Sequence, residues 1–409
     1  MTRTVMHIDM DSYFASVEQQ ATPSLRGQPM GVTGRPTEKS IITAFSREAK
    51  RYKVWTGMPV WEAQRACPHL ILVPGRPERY VETTKRFLEI LKRYTPLIEV
   101  FSVDEVFMDV THDAPKHGGP VALARKIQAA FRDALGPYIT ATIGIAATKT
   151  FAKLIAKRHK PNGIGELHSS DMPSLLHSTP VGEICGIGPR IERRLSRMGV
   201  RSLAELGELP AHLLRREFGV YGLFLKEIGQ GRDPTPLTPY SEIPPPKSVG
   251  HSRSLPPDLR PFPLALIILR DLCEKVGRRM RRQGFVGRTV HCGFRLEAMS
   301  GHHAKQVTLA LPSDDGETIY AACLAVLGKI PVKPTAVNQI SVSVSHLSPK
   351  LDHPVSLLAD DHRRDRINHA VDLIRDRYGE TAIRIGCSLL TRPIPRHVSG
   401  FTFEESWDF

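Results

Sequence analysis

A chain of 409 residues with 41% hydrophobic content exceeds one ordinary domain and can bury real cores. Lys and Arg outnumber Asp and Glu 56 to 42, a net charge of +14 that fits either a polyanion partner, nucleic acid before membrane, or a generally basic soluble enzyme. Six scattered cysteines without a CxxC argue against a disulfide framework, and no run approaches the roughly 18 apolar residues of a membrane span, so a soluble, cytoplasmic protein is expected.

In chain order, 4–10 of "TVMHIDMDSYFASVEQQ" is a short apolar strand that passes into helical spacing. A mixed apolar–polar region follows over 40–75, with "GMP" at 57–59. Residues 79–94 read as a helix, 98–110 as strand, 121–135 as amphipathic helix, 138–147 as strand and 149–158 as helix. This alternation predicts an α+β layer built from 1–20 and about 76–165. From 168 to 231 short helical segments are broken by Gly and Pro, and 231–246 holds six prolines with no periodicity, an extended linker. Beyond it, "TVHCGFRLE", "QVTLALP" and "QISVSVSHL" alternate with period two and 264–283 is helical, which predicts a separate α/β module at 247–349. One more amphipathic stretch occupies 361–378.

"FSVDEVFMDV" (101–110) sets Asp104 and Glu105 side by side in an apolar run. Successive strand side chains point to opposite faces, so an unbroken strand would bury one of them. A turn or bulge at Asp104–Glu105, with 98–102 and 106–111 as hairpin arms, lets both face one site. Asp9 also ends an apolar strand, in "HIDMD". Three carboxylates at strand ends suit hard divalent cations, Mg²⁺ above all, shared with substrate phosphates. The competing reading is ordinary ion pairs with Lys or Arg. Asp11 and Asp109 are weaker candidates, read as capping or hairpin residues.

"HIDMDSYFASVE", "SVDEVFMDVT", "GIAATKTFAKLIAKRHKPNGI" and "GIGPRIERRL", in this order, resemble the successive signatures of the Y-family DNA polymerases, the lesion-bypass class, of DNA polymerase IV type. The resemblance runs over about 1–350. It implies an α+β multidomain right hand: palm 1–20 and 76–167, fingers 21–75, helical thumb 168–231, linker 232–246, an α/β little finger at 247–349 and a tail at 350–409. It further implies that Asp9 and Asp104 bind two Mg²⁺ ions (Mn²⁺ as substitute), Glu105 the ion nearer the primer 3′-OH, and the Met10 carbonyl is a further ligand. The reaction would be attack of that hydroxyl on a dNTP α-phosphate, without proofreading.

By the same resemblance "SYF" (Ser12, Tyr13 and Phe14) floors the incoming sugar, Phe14 as steric gate, although residues alone favour a core aromatic. Lys160 in "KPNG" would contact the triphosphate. "FSREAKRYKV" departs from the family: Arg47 and Lys50 stand where a tyrosine and an arginine are usual, which still allows a cationic clamp at i, i+3. Gly186 and Gly188 open a helix-hairpin-helix that cradles a phosphate. Lys247, Ser248 and Arg253 in "KSVGHSRS" open a DNA-holding sheet, and Lys and Arg outnumber acids 14 to 7 over 247–349, which favours phosphate contacts. Arg278, Arg279, Arg281 and Arg282 read either as part of that surface or as a solvated helix face. In the tail, Val355, Leu357 and Leu358 of "PVSLL" sit in register with a sliding-clamp motif that has lost its glutamine and aromatic, so only weak clamp binding is expected. A monomer acting on primer-template DNA and dNTPs is the expected state. A non-catalytic relative and a palm-fold nucleotide cyclase remain alternatives.

Overall fold

A computed structural model describes residues 3–34, 40–242, 244–296, 301–332, 334–353 and 359–391. The first strand, Val5–Met10 (β1), alternates two apolar sets: Met6, Ile8 and Met10 enter one core while Val5 enters another. Burial on both faces explains why its apolar run carries so few polar residues. Ser12 turns left-handed (φ 46°) into helix Tyr13–Ala21 (α1). Strands Met30–Thr33 (β2) and Ile42–Phe45 (β3), helices Arg47–Lys50 (α2) and Val60–Ala66 (α3), and strand Ile71–Pro74 (β4) form the fingers, a three-stranded sheet in the order β3-β2-β4 around Ile42, Val60 and Leu70.

Helix Pro77–Leu91 (α4), strands Ile98–Val100 (β5) and Glu105–Asp109 (β6), helix Pro120–Leu135 (α5), strand Ala141–Ala146 (β7), helix Lys149–Arg158 (α6) and strand Ile164–Glu166 (β8) complete the palm. Its sheet runs β5-β6-β1-β7-β8, with β1 central between antiparallel β6 and β7. Helices α4 and α5 cover one face through Phe87, Leu91, Ile127 and Phe131, and α6 covers the other. Gly144 makes the second contact possible: a Cβ there would lie 2.1 Å from the Ala152 carbonyl and 2.3 Å from the Ala156 nitrogen. Only glycine lets α6 approach so closely.

The thumb follows as Met172–Ser178 (α7), Pro189–Arg197 (α8), Leu203–Glu208 (α9), Ala211–Phe218 (α10) and Val220–Gly229 (α11), packed on Leu195, Leu203, Leu214 and Leu225. The proline-rich stretch, expected to be an extended linker, is held to the palm at two points. Asp233 accepts the Thr150 N–H at 3.0 Å, and the Thr238 N–H donates to Glu99 at 2.8 Å.

A second compact unit begins at Pro244. It comprises Ser248–Ser254 (β9), Phe262–Arg282 (α12), Phe285–Leu296 (β10), His302–Ser313 (β11), Gly316–Gly328 (α13), Val337–Pro349 (β12) and Ala359–Tyr378 (α14). The sheet order is β11-β10-β12-β9, all antiparallel, with α12 and α13 packed over one face on Leu269, Leu272, Ile340 and Val342. The sequence pattern did not separate α13 or β9 as an element by periodicity. Every cysteine is a free thiol. No helix among the described residues is long and apolar enough to cross a membrane. Residues Val355, Leu357 and Leu358 of the expected clamp motif lie outside the described residues.

Helix α14 is fastened to the little finger by charge. Arg278, 3% exposed, pairs with Asp376, Glu380 and Asp372, and Arg281 grips Asp372 through two hydrogen bonds of 2.6 and 3.0 Å. Asp315 joins the same helix to the N-terminus of α13. It accepts the Thr318 N–H at 2.9 Å, the Asn368 amide at 3.1 Å and Arg364 at 3.2 Å. Burial alone would raise its pKa, but the Asn368 and Thr318 hydrogen bonds outweigh burial and hold it below the ordinary carboxylate range. A depressed folded pKa contributes stability above the unfolded value, about 3.9, that is lost as pH falls through the folded value. Hydrogen-exchange protection of the Thr318 amide, corrected for intrinsic rate, is therefore expected to hold above the unfolded value of about 3.9 and to fall as the pH drops below it. In Asp315→Asn it should be lower at neutral pH and nearly flat across the same range.

Candidate active site

Asp9 stands directly opposite Glu105 on β6 and Thr142 on β7. Paired residues share a face, as do alternate residues of one strand, so His7, Asp9 and Glu105 all project to the α6 side. Asp104 lies just before β6 in a tight turn, closed by the Phe101 and Ser102 N–H groups on the Glu105 carbonyl at 3.0 and 3.1 Å. The Met10 N–H donates to the Asp104 carbonyl at 2.9 Å and locks the turn to the end of β1. The break expected at Asp104–Glu105 is this turn.

Burial, reinforced by Glu105 and Asp104, pushes the Asp9 pKa up to about 7 against the Lys160 ammonium, 2.5 Å from Asp9 Oδ1. Burial also raises Asp104, while the Ser102 hydroxyl, donating at 2.6 Å, works against the shift. Glu105 accepts from Lys153 of α6. His7 is fully buried, its Nε2 3.9 Å from Glu105 Oε1, and neither ring nitrogen has a hydrogen-bond partner among the described residues. Burial, then Lys153 and Lys160, hold its pKa well below the ordinary imidazole value, so the ring is neutral at pH 7. The ligand atoms of His7, Asp9 and Glu105 lie within 4.8 Å of one another. Asp104, expected in that group, has its carboxylate on Ser102 instead. Sequence reasoning missed His7 and Lys153; the two-residue spacing of His7 and Asp9 on one strand was the available signal.

Asp11 is more than a cap. It is 2% exposed and accepts from Thr142 (2.8 Å), Thr140 (2.7 Å), the Asn162 N–H (2.9 Å) and Arg47 (3.3 Å), joining β1, β7, the 160–162 loop and the fingers. Arg47 thus has an acidic partner, while Lys50, three residues on, is exposed. Phe14 is half-buried and stacks on Tyr80 with ring centroids 4.3 Å apart. Tyr13 does not share its surface. It is buried in the palm core, its hydroxyl placed against the Tyr80 carbonyl (2.8 Å) and Thr84 Oγ1 (2.7 Å), which corrects the expectation that it floors a nucleotide pocket.

Gly186 takes φ 96°, open to glycine, and Gly188 caps the N-terminus of α8 with open space at its Cβ position. In the second unit Lys247 and Ser248 are exposed, with Ser248 on the uncovered sheet face. Arg253 pairs in register with buried Ile340 and so lies on the helix-covered face, half-buried, contrary to expectation. The arginine-rich end of α12 is also not an open basic face. Arg278, Arg281 and Arg282 pair with acids of α14 and the chain after it, and Arg279 donates to the Gly250 carbonyl.

Two models of the impB/mucB/samB family match, the main one over residues 8–157 and its C-terminal domain over 246–357. The chain is 36% identical over 389 residues to a DNA polymerase IV of Moorella thermoacetica, covering 94% of this chain and 96% of that one. It is 32% identical over 397 residues to DNA polymerase IV 2 of Bacillus subtilis, covering 95% of each. A solved Y-family DNA polymerase chimera, Dbh-Dpo4(243-245)-Dbh, matches with a TM-score of 0.73 at 26% identity, over 84% of this chain and 98% of the other. The chain belongs to the Y-family DNA polymerases, of the DNA polymerase IV type. It is a DNA-directed DNA polymerase with palm, fingers, helical thumb and little finger.

For this polymerase Arg47 and Lys50 separate by their partners. Arg47→Ala is expected to raise KM for dNTP and to cost about 1 kcal/mol of stability, because Asp11 keeps three other donors. Lys50→Ala should raise KM with Tm unchanged. Steady-state kinetics and thermal melts of the two variants check this.

Proposed function

We propose that the chain performs low-fidelity, lesion-bypass synthesis, extending a primer 3′-OH with dNTPs by two-metal nucleotidyl transfer and without proofreading. The observation that carries the reading is the placement of Asp9 and Glu105 directly opposite one another on central strands, with Asp104 in the adjoining turn. Their oxygen-rich donor set fits hard divalent cations, Mg²⁺ first and Mn²⁺ as substitute. Asp9 and Asp104 would hold both ions, with the Met10 carbonyl, and Glu105 the one nearer the primer. Bound there, the ions would supply charge neutralisation and activation of the attacking hydroxyl.

The protein's own part is positioning. Lys160, now bonded to Asp9, would contact the triphosphate, and Arg47, now bonded to Asp11, would join it from the fingers together with Lys50. Phe14, braced by Tyr80, would occupy the space of a ribose 2′-OH. The helix-hairpin-helix turn at Gly186–Gly188 would hold a phosphate through backbone donors. On the open sheet face, Ser248, Gly250, Ser252 and Ser254 of β9 line up with Gln339, Ser341, Ser343 and Ser345 of β12. The serines and glycine of this row are small enough to let a phosphate backbone approach the sheet closely, with no base code. Weak sliding-clamp contact through Val355, Leu357 and Leu358, in a soluble cytoplasmic monomer, completes the proposal.

Primer extension on an undamaged template with Mg²⁺ tests the reading. Asp104→Ala or Glu105→Ala should abolish extension while primer-template binding survives; equal loss of folding or DNA binding would make these acids structural ion pairs. Phe14→Ala should raise ribonucleotide incorporation with a much smaller change for dNTPs, and an unchanged rNTP/dNTP preference would make Phe14 a core aromatic only.

A further inference from the structure

A polar group buried without a hydrogen bond loses its water partners and gains nothing in return, and His7 is buried in that state. Its neighbours in register are Phe107 and Gly144, and its ring lies 4.7 Å from the Phe107 ring. A phenylalanine would suit such surroundings without that cost. What the imidazole adds is a nitrogen lone pair beside two carboxylates. Metal–ligand bonds of about 2.1 Å place neighbouring donors of a tetrahedral site about 3.4 Å apart. The 3.9 Å from His7 Nε2 to Glu105 Oε1 needs closure of about 0.5 Å, and the full set of donors, within 4.8 Å of one another, needs at most about 1.4 Å. Lys153 and Lys160, whose side chains are 21% and 37% exposed, hold the carboxylates and can swing into solvent as a cation enters.

Imidazole nitrogen suits zinc, cobalt and nickel, whereas Mg²⁺ strongly prefers oxygen. We propose that His7 Nε2, Asp9 and Glu105 form a mixed nitrogen–oxygen site for one transition-metal cation of the Zn²⁺, Co²⁺ or Ni²⁺ class. It shares two carboxylates with the oxygen-only centre of the polymerase reading, so its occupancy excludes the catalytic pair. Zn²⁺ at this site acts as an antagonist of Mg²⁺.

Co²⁺ titrated into the full chain without DNA or dNTP, followed by visible absorption with Zn²⁺ and Mg²⁺ as competitors, tests the site. One equivalent should bind with the bands of a low-coordinate nitrogen–oxygen site, and Mg²⁺ should displace it only in large excess. His7→Phe should weaken binding by on the order of 100-fold, since even outer-shell partners of a metal are worth about 10–100-fold. Unchanged affinity in folded His7→Phe, judged by circular dichroism, overturns the proposal. If that variant does not fold, pulsed EPR of the native chain with one equivalent of Cu²⁺ decides. Imidazole-nitrogen coupling that vanishes in Glu105→Gln supports the site, and coupling that persists or is absent from the native chain overturns it. Neither measurement uses primer extension, so this inference and the polymerase mechanism can fail separately.

Discussion

Forcing carboxylates together beside a buried strand is the constraint on which the palm depends. Two like charges about 4 Å apart repel by about 4 kcal/mol at the effective dielectric of a protein surface. Asp9 and Glu105 meet that cost with cations delivered from different parts of the chain, Lys160 from the loop after α6 and Lys153 from α6 itself, while Asp104 accepts from the Ser102 hydroxyl. The delivery requires α6 to lie close on the sheet, and Gly144 permits that approach. The charge of the site and the packing of the palm are one problem with one solution.

The same economy links the palm to the fingers. Asp11 gathers Thr140, Thr142, Asn162 and Arg47 on one buried carboxylate, so the end of β1 fixes both the lysine loop and the start of α2. The wall behind Phe14 is built similarly. Tyr80 stacks on it and donates to Glu18 at 3.0 Å, and Glu18, 1% exposed, is neutralised by Arg79 at 2.8 Å. A ring backed by a hydrogen-bonded, charge-balanced wall has little room to retreat.

In the second unit the charges serve the fold more than a partner. Arg278, Arg281 and Arg282 of α12 are paired with acids of α14 and the residue beyond it, while on the open sheet face β9 presents serine and glycine and the neighbouring β10 presents His291 and Arg295. The count of basic residues pointed toward nucleic acid. The interactions show that part of that count holds the C-terminal helix in place.

Much of this was legible in the chain. The hairpin break at Asp104–Glu105, the helix over 149–158 and the period-two strands of the little finger follow from local spacing, because side-chain direction repeats every 2 or 3.6 residues whatever lies nearby. Partner choice has no such local code. Tyr13 and Phe14 are adjacent aromatics, yet one hydroxyl finds Thr84, 71 residues on, and the other ring finds Tyr80, both on α4. Arg253 reads as one more cation until pairing with Ile340 assigns its face. His7 reads as a strand residue until β6 and α6 close around it. The sequence by itself determined most elements of the palm, three strands and a helix of the little finger, the acidic corner and the family. Only the tertiary structure decided which charges face each other, because long-range register and burial set the distance and dielectric that give each charge its meaning.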